Sequence, residues 1–336
     1  LEPKVSIIIP CRNEERYIVK NIESILAQEY LGELEVIVVD GMSTDKTREL
    51  VLNVDDNRVR LVDNEAQFTP HALNLGVKNA SGEIFIILGG HAFLTAGFVR
   101  RNVEILKGNS SIGCAGGQIL NIHENVASEL ISKAMTSPFG VGNATFRTGG
   151  KAGFVDTVAF GAYWKRIHDE IGGFDEDLVR NQDDEYNYKV LKAGYKIYFD
   201  PDIISNYYVR GSYSKLYRQY YQYGYWKVYV NKKHKTITTI RQMIPLFFVL
   251  GLMGGLLLSL FWPFFWLVFL SGIGGYLLLA LVSGTRVGKT VLEGLRIAPV
   301  FPLLHFSYGL GYLVGIVEFI LLNKKPSNRS KSSTRA

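Results

Sequence analysis

Cysteine is nearly missing from this chain: Cys11 and Cys114 are the only two in 336 residues. Two thiols make no disulfide framework, and they suit a reducing compartment. Charge is almost missing from residues 244–283 and 297–322, so the overall apolar share of 47% is concentrated at one end. A basic stripe of the kind that tracks a nucleic-acid backbone is missing too. The net charge is +6, and the cations gather at the borders of the apolar regions: Lys227, Lys232, Lys233, Lys235 and Arg241, then Arg286, Lys289 and Arg296, then Lys324, Lys325, Arg329, Lys331 and Arg335. Phospholipid head groups fit that distribution and nucleic acid does not. No cleavable leader is visible, because the apolar run 5–10 is short and Arg12, Asn13 and Glu14 follow at once. The large domain is therefore expected in the cytosol. No internal repeat occurs, and the only low-complexity piece, the Ser/Lys/Arg tail after Pro326, is expected to be disordered.

What is present first is membrane-like. A bilayer core takes roughly 20 consecutive apolar residues per helix, and 244–262, 264–283 and 297–322 come close to or exceed that length. Three spans are expected, with Pro263 at a tight turn between the first two. The alternative, long buried helices of a soluble core, conflicts with the want of a polar face. The positive-inside rule puts the first two basic clusters in the cytosol, whereas three spans put the third cluster outside. Either one apolar stretch is re-entrant or the rule fails here.

Residues 1–210 read as a catalytic domain, 211–241 as amphipathic interface helices, 242–323 as the transmembrane region and 324–336 as the tail. Within the first, 4–10 and 34–40 are β-branched runs, and 14–29 between them carries Ile18, Ile22, Ile25 and Leu26 at helical spacing. Helices are expected from Thr44 and Asp45 to Val51 and over 70–79, with strands over 59–63 and 83–88. Alternating strands and helices imply an α/β, doubly wound, largely parallel sheet. Ligands bind such sheets beyond the carboxyl ends of the strands, near a topological switch point. The segments to inspect are therefore 10–14, 40–45 and 89–91.

Each segment has a bland reading beside a functional one. Asp40 ends an apolar run, with its carboxylate free to accept from a base or a ribose. Gly41, Ser43, Thr44 and Asp45 suit a turn and a helix cap. Gly89 and Gly90 let a diphosphate approach the backbone, and His91 is either a metal ligand or merely an exposed histidine; imidazole is a poorer match than carboxylate for Mg²⁺. Asn181, Gln182, Asp183, Asp184 and Glu185 put three carboxylates into five residues. They are either a charged helix start or the seat of a general base, since adjacent carboxylates raise one another's pKa. Residues 211–231 hold seven tyrosines and a tryptophan among Lys and Arg, a composition for anchoring at head-group depth or for meeting a lipid-diphosphate.

In order, the segments 5–14, 38–45, 72–74, 89–92, 155–162, 181–185 and 218–226 resemble the family 2 glycosyltransferases of GT-A fold, and more narrowly their ExoA-like branch known from succinoglycan biosynthesis. The resemblance covers about residues 4–245. It implies a GT-A-type doubly wound mixed sheet and an inverting transferase that moves a sugar from a nucleotide-sugar, UDP-glucose by family weight, to a polyprenyl-linked saccharide. It implies that Pro10, Arg12, Glu14, Gly89 and Gly90 border the donor nucleotide and that Asp40 holds the pyrimidine. His91 then takes the last place of the family's DxD motif and binds Mg²⁺ or Mn²⁺. Asp183 matches the catalytic base, counting back from Lys189, with Asp184, Arg218, Gln219 and Trp226 toward the acceptor and diphosphate. One departure is plain: Gly89 lacks the carboxylate expected at the first place of that motif. Two other readings stay open, a processive polysaccharide synthase, which would need a full Gln-x-x-Arg-Trp segment where this chain has Gln222 for the Arg, and a degenerate sugar- or lipid-binding relic.

Overall fold

The computed structural model describes residues 1–209 and 211–326. Arg210, the expected end of the catalytic domain, and the tail beyond Pro326 lie outside the described residues. The chain divides into two compact units: Leu1–Asn121 with Thr145–Tyr208, and Ile122–Ala144 with Val209 onward.

The strands are β1 (Val5–Cys11), β2 (Leu34–Asp40), β3 (Val59–Asp63), β4 (Ile84–Ile87), β5 (Ala92–Leu94), β6 (Ile112–Ile122), β7 (Gly153–Val155), β8 (Ala159–Trp164) and β9 (Lys196–Tyr208). The helices are α1 (Ile18–Leu26), α2 (Thr47–Leu52), α3 (Thr69–Asn79), α4 (Phe98–Gly108), α5 (Val126–Met135), α6 (Pro138–Val141), α7 (Thr145–Thr148), α8 (Lys165–Ile171) and α9 (Gln182–Lys192). After them come α10 (Tyr213–His234), α11 (Ile244–Phe261), α12 (Phe264–Gly288), α13 (Val291–Ile297) and α14 (Val300–Gly315).

In the first unit the strands run β3-β2-β1-β4-β8-β6-β9-β5, with β7 on β9. The first four are parallel. β8 is antiparallel to both β4 and β6, β6 and β9 run the same way with Ser111 beside Lys196 and Ile122 beside Val209, and β5 and β7 are antiparallel to β9, so the sheet is mixed rather than largely parallel. The reason is local: the strand–helix–strand alternation readable over residues 4–88 stops there, and β4 is followed in the sheet by β8, which runs the other way. Both faces are covered, which explains the unbroken apolar runs of the parallel strands. Val5, Ile7 and Ile9 of β1 pack with Ile18, Ile22 and Ile25 of α1 and with Phe98 and Val103 of α4. Ile8 faces the other way, toward Leu73 and Val77 of α3 and Tyr186 and Val190 of α9.

The strand order reverses at β1, which has β2 on one side and β4 on the other. A crevice between the carboxyl ends of β1 and β4 is the place such a sheet offers a ligand. Residues 12–14 and 89–91 lie there. The antiparallel register Ile86↔Ala162 puts the start of β8 at the same edge.

The second unit holds three helices long and apolar enough to cross a membrane: Ile240–Phe261, Phe264–Gly288 and Val291–Leu321. Pro263 stands between the first two as expected. The interface region contains one 22-residue helix, α10. Segment Ile122–Ala144, read from sequence as part of the catalytic domain, packs with these helices instead. Lys133 of α5 bonds Glu293 of α13, and Phe139 of α6 lies edge-on to Phe301 of α14.

Candidate active site

The loop after β1 and the loop after β2 are laced together by their backbones. Asn13 N–H donates to Ser43 Oγ at 2.8 Å, and Thr44 N–H donates back to Asn13 Oδ1 at 2.9 Å. Glu14 N–H donates to Thr47 Oγ1 at 2.8 Å. Asn13 sits at φ +56°, a left-handed conformation that Asn tolerates better than most side chains and that turns the chain from strand toward α1. Asp45 accepts from Thr47 N–H at 2.9 Å and from Glu15 N–H at 3.2 Å, so its part is the cap. These bonds hold its carboxyl below the usual range against the opposing effect of burial.

Asp40 is 0% exposed. It accepts from Ser43 N–H at 2.9 Å, from Ser43 Oγ, and from Arg48 Nη1 at 2.8 Å. The expected open carboxylate for a pyrimidine is therefore turned onto the protein, because an ionised group at a buried strand end is stable only when paired. Asp40 orders the loop that a base would meet. Arg48, which sequence reading passed over, also reaches Asp63 at 2.7 Å, and these carboxylates hold its guanidinium still more firmly protonated.

Across the crevice, His91 Nδ1 lies 2.9 Å from Glu14 Oε1. Both side chains are partly open, 25% and 19% exposed. The ring of His91 also lies beside that of Tyr207, 4.9 Å between centroids. Asn21 of α1 anchors the 89–91 loop from beneath, donating to Gly89 C=O at 2.9 Å and Ala92 C=O at 2.6 Å. Its signal was in the sequence: Asn21 interrupts the apolar stripe of Ile18, Ile22 and Ile25, and it is buried with them. Gly90 fits closely under Glu14, since a Cβ there would come within 3.0 Å of Glu14 Cγ and 3.1 Å of Cys11 Cβ, tighter than ordinary contact. A Cβ at Gly89 would meet only Phe160 Cε1, at 3.5 Å.

Asp183 occupies the first turn of α9 and is exposed. Desolvation by the surrounding protein and then the neighbouring Asp184 raise its pKa; backbone N–H groups and Arg147 oppose them. Asp183 thus keeps a surface open to solvent while the protein around its carboxyl disfavours the charged form. One turn on, buried Asn187 donates to Thr157 Oγ1 at 2.8 Å and accepts from Tyr163 O–H at 2.8 Å. Thr157 lies just before β8, so the start of α9 sits at the edge that carries 89–91. Arg147 of α7 was not found from the sequence; its Nη1 is enclosed and has no hydrogen-bond partner among the described residues. Lys189 bonds Gly172 C=O at 3.1 Å. Asn74 holds both the N–H and the C=O of Phe174, so the 72–74 segment positions the loop before α9.

Arg218, Gln219 and Trp226 lie in the second unit. Trp226 is 0% exposed, packed on Tyr225 and Phe319, and offers no surface to a diphosphate. Gln219 is buried and donates to Tyr223 O–H at 2.8 Å. Their side chains close the core of that unit; Arg218 is exposed. Pro10 and Arg12 border the crevice, half-buried.

Among the described residues no cluster of three or more His, Cys, Asp and Glu could hold a metal. His91 could hold one: if Nδ1 carries the proton toward Glu14, Nε2 would keep its lone pair, the arrangement of a carboxylate-backed histidine ligand. With one protein ligand, such a cation would draw its other ligands from the substrate.

A model of glycosyl transferase family 2 matches residues 6–172. A dolichyl N-acetyl-α-D-glucosaminyl phosphate 3-β-D-2,3-diacetamido-2,3-dideoxy-β-D-glucuronosyltransferase of Methanococcus voltae is 36% identical over 230 residues, 66% of this chain and 71% of that protein. The succinoglycan biosynthesis protein ExoA of Rhizobium meliloti is 28% identical over 248 residues, covering 71% of this chain and 74% of its own. Among solved structures, the mannosyltransferase PcManGT of Pyrobaculum calidifontis, in complex with GDP-Man and Mn²⁺, superposes with a TM-score of 0.57 at 20% identity, over 97% of this chain and 89% of that one. At that identity the likeness speaks to the fold alone.

Proposed function

The chain belongs to glycosyl transferase family 2 and is a membrane-associated glycosyltransferase, and from that premise we propose that it moves one sugar from a UDP-hexose to a hydroxyl of a polyprenyl-phosphate-linked saccharide, with inversion, on the cytosolic face. The observation that carries the reading is Asp183: open to a ligand, with its pKa raised by desolvation and Asp184, at the sheet edge shared with Glu14 and His91. The lipid-linked acceptor rests on the two curated relatives, one named for a dolichyl phosphate and one for succinoglycan assembly.

The chemistry is a single in-line displacement. Asp183 takes the proton of the acceptor hydroxyl as its oxygen attacks the anomeric carbon. The bond from that carbon to the diphosphate breaks, and the nucleoside diphosphate leaves with the electron pair. The raised pKa brings the carboxylate closer to working pH, where a base accepts a proton with more driving force. Arg147, beside Asp183, offers a guanidinium to phosphate oxygens. A divalent cation at His91 would offset charge on the leaving diphosphate. Glu14, Gly89 and Gly90 shape the wall against which the donor lies, and the Asn13–Ser43 lacing keeps that wall rigid.

The test is release of nucleoside diphosphate by the detergent-purified full chain, across UDP-glucose, UDP-hexuronates and GDP-mannose, with Mn²⁺ or EDTA and a polyprenyl-phosphate-sugar acceptor. Acceptor-dependent turnover with one UDP-sugar is expected. Nucleotide binding without turnover on any donor would replace this reading by that of a degenerate binding protein.

A further inference from the structure

We propose that Glu14 is the positioning residue for the metal ligand His91, and that it does the work left undone by the missing carboxylate at position 89; this rests on the transferase reading above. Glu14 belongs to the β1 loop and His91 to the β4 loop, so their 2.9 Å contact joins the two sides of the crevice. The contact decides the tautomer. A proton on Nδ1 is held by the carboxylate, and Nε2 is left as a lone-pair donor on a side chain that is 25% exposed. The negative charge behind the ring also makes that nitrogen a stronger donor.

Three further observations converge on the pair. Gly90 lets Glu14 lie close, as a Cβ there would press on Glu14 Cγ at 3.0 Å. Asn21 grips the carbonyls on both sides of the 90–91 step, which holds the imidazole at one depth. The ring of Tyr207 limits its rotation on another side. Position 89 has room for a side chain, since an added Cβ makes one ordinary contact. The absent carboxylate is therefore no steric necessity, and a charge supplied through Glu14 offers a physical reason why the site tolerates its loss.

The probe is Mn²⁺ alone and Mn²⁺ with UDP, bound to the full-length protein in detergent and followed by the loss of the free-ion EPR signal. Glu14→Gln should weaken Mn²⁺ binding in the presence of UDP by about tenfold or more, a much larger loss than any change in metal-free UDP affinity. His91→Ala should weaken it at least as much. Gly89→Asp placed on Glu14→Gln should recover most of the affinity by supplying a carboxylate at the neighbouring position. Unchanged Mn²⁺ affinity in Glu14→Gln overturns the proposal, as does an equal loss of metal-free UDP binding, which would make Glu14 a nucleotide contact. Neither readout needs turnover, so failure here is distinct from failure of the transferase reading.

The second unit carries an independent inference. Its three apolar helices are unlike: 17% and 6% of the most apolar stretches in the first two are buried, but 50% in Val291–Leu321. The later half of that segment runs parallel to α10. Cβ atoms built on Gly311 and Gly315 would collide with the carbonyls of Tyr221 and Tyr225. Tyr225 O–H donates to Glu318 at 2.6 Å, and Lys232 donates to Phe319 C=O and Asn323, each at 2.6 Å. α10 carries Lys215, Arg218, Lys227, Lys232 and Lys233 along its length, a charge load that hydrocarbon does not accept. Whatever lies beside it shares its depth. The earlier half of α14 returns past the start of α11, with His305 beside Phe248 and Gly309 against Pro245.

We infer that the chain crosses the bilayer twice, through the α11–α12 hairpin, and that Val291–Leu321 is re-entrant. Two crossings put Lys324 and Lys325 on the side of Lys232, Lys233, Arg286 and Lys289, which removes the conflict with the positive-inside rule. Cys11 and Cys114 are buried, so single added cysteines can be read in sealed vesicles with a membrane-impermeant maleimide. Lys325→Cys and Lys235→Cys should label from the same side and Trp262→Cys from the other. Labelling of Lys325→Cys from the side of Trp262→Cys would establish three crossings and end the inference.

Discussion

Arg48 reaches Asp40 at 2.8 Å and Asp63 at 2.7 Å with the same nitrogen, tying the ends of β2 and β3 from the first turns of α2. Asp40 is wholly enclosed, while Arg48 is one-third exposed. Removing the cation leaves a buried carboxylate with Ser43 and the weak, 4.0 Å donor Cys11 Sγ. Arg48→Met should cost about 2–3 kcal/mol, below the full figure for a buried pair because water reaches the guanidinium. Asp40→Asn with Arg48→Met should recover part of that. Chemical denaturation of the four proteins checks it, and an unperturbed Arg48→Met would contradict the pairing.

Asp183→Asn should lower turnover by 10²-fold or more, in the ordinary range for losing a general base, with nucleotide affinity kept. Its effect on stability has a definite sign. Because the folded pKa of Asp183 is raised, the folded state holds that proton more tightly than the unfolded one, and stability falls as pH rises through the folded pKa. The neutral Asn removes this burden, so Tm at pH 7 should be equal or higher. A lower Tm would mean that the carboxylate is structural.

The same raised pKa fixes the pH profile. The acid limb of kcat/KM should lie above the ordinary carboxylate value of about 4, activity rising as Asp183 ionises. Asp184→Asn removes the neighbouring charge and should move that limb to lower pH. A limb that stays put in Asp184→Asn would point to another group.

Asn21→Leu should leave the carbonyls of Gly89 and Ala92 without their donor, at about 1–3 kcal/mol for each buried group left unsatisfied. Because those carbonyls hold the loop of His91, the variant should lose Mn²⁺ affinity more than metal-free UDP affinity. Parallel calorimetric titrations separate the two.

Trp226→Ala should behave as a core truncation, costing about 3–5 kcal/mol, since the indole packs on Tyr225 and Phe319. Its expected signature is a lower Tm in detergent with KM for the donor unchanged in the surviving enzyme. A KM effect without loss of stability would return Trp226 to the ligand.

Much of this protein is determined by residue order alone. The β-branched runs ending at Cys11, Asp40 and Ile87 specify buried parallel strands, because only a strand covered on both faces can be apolar without alternation. The spacing of Ile18, Ile22 and Ile25 specifies the helix between them, and the uncharged stretches around Pro263 specify two helices long and apolar enough to cross a membrane. The loops that carry the site follow, since a doubly wound sheet puts its ligand edge where those strands end. Where each carboxylate points is another matter. Asp40 and Asp183 both sit at the border of an element, yet one is folded onto Arg48 and the other stays open to solvent. Asp40 is turned inward by a partner eight positions on, which no local pattern links to it. The Glu14–His91 contact spans 77 positions, and Trp226 is interior because a helix almost a hundred residues later covers it. Periodicity in a sequence records which face of an element is buried; it holds no record of what lies on the other side of that face, and this the tertiary packing alone decided.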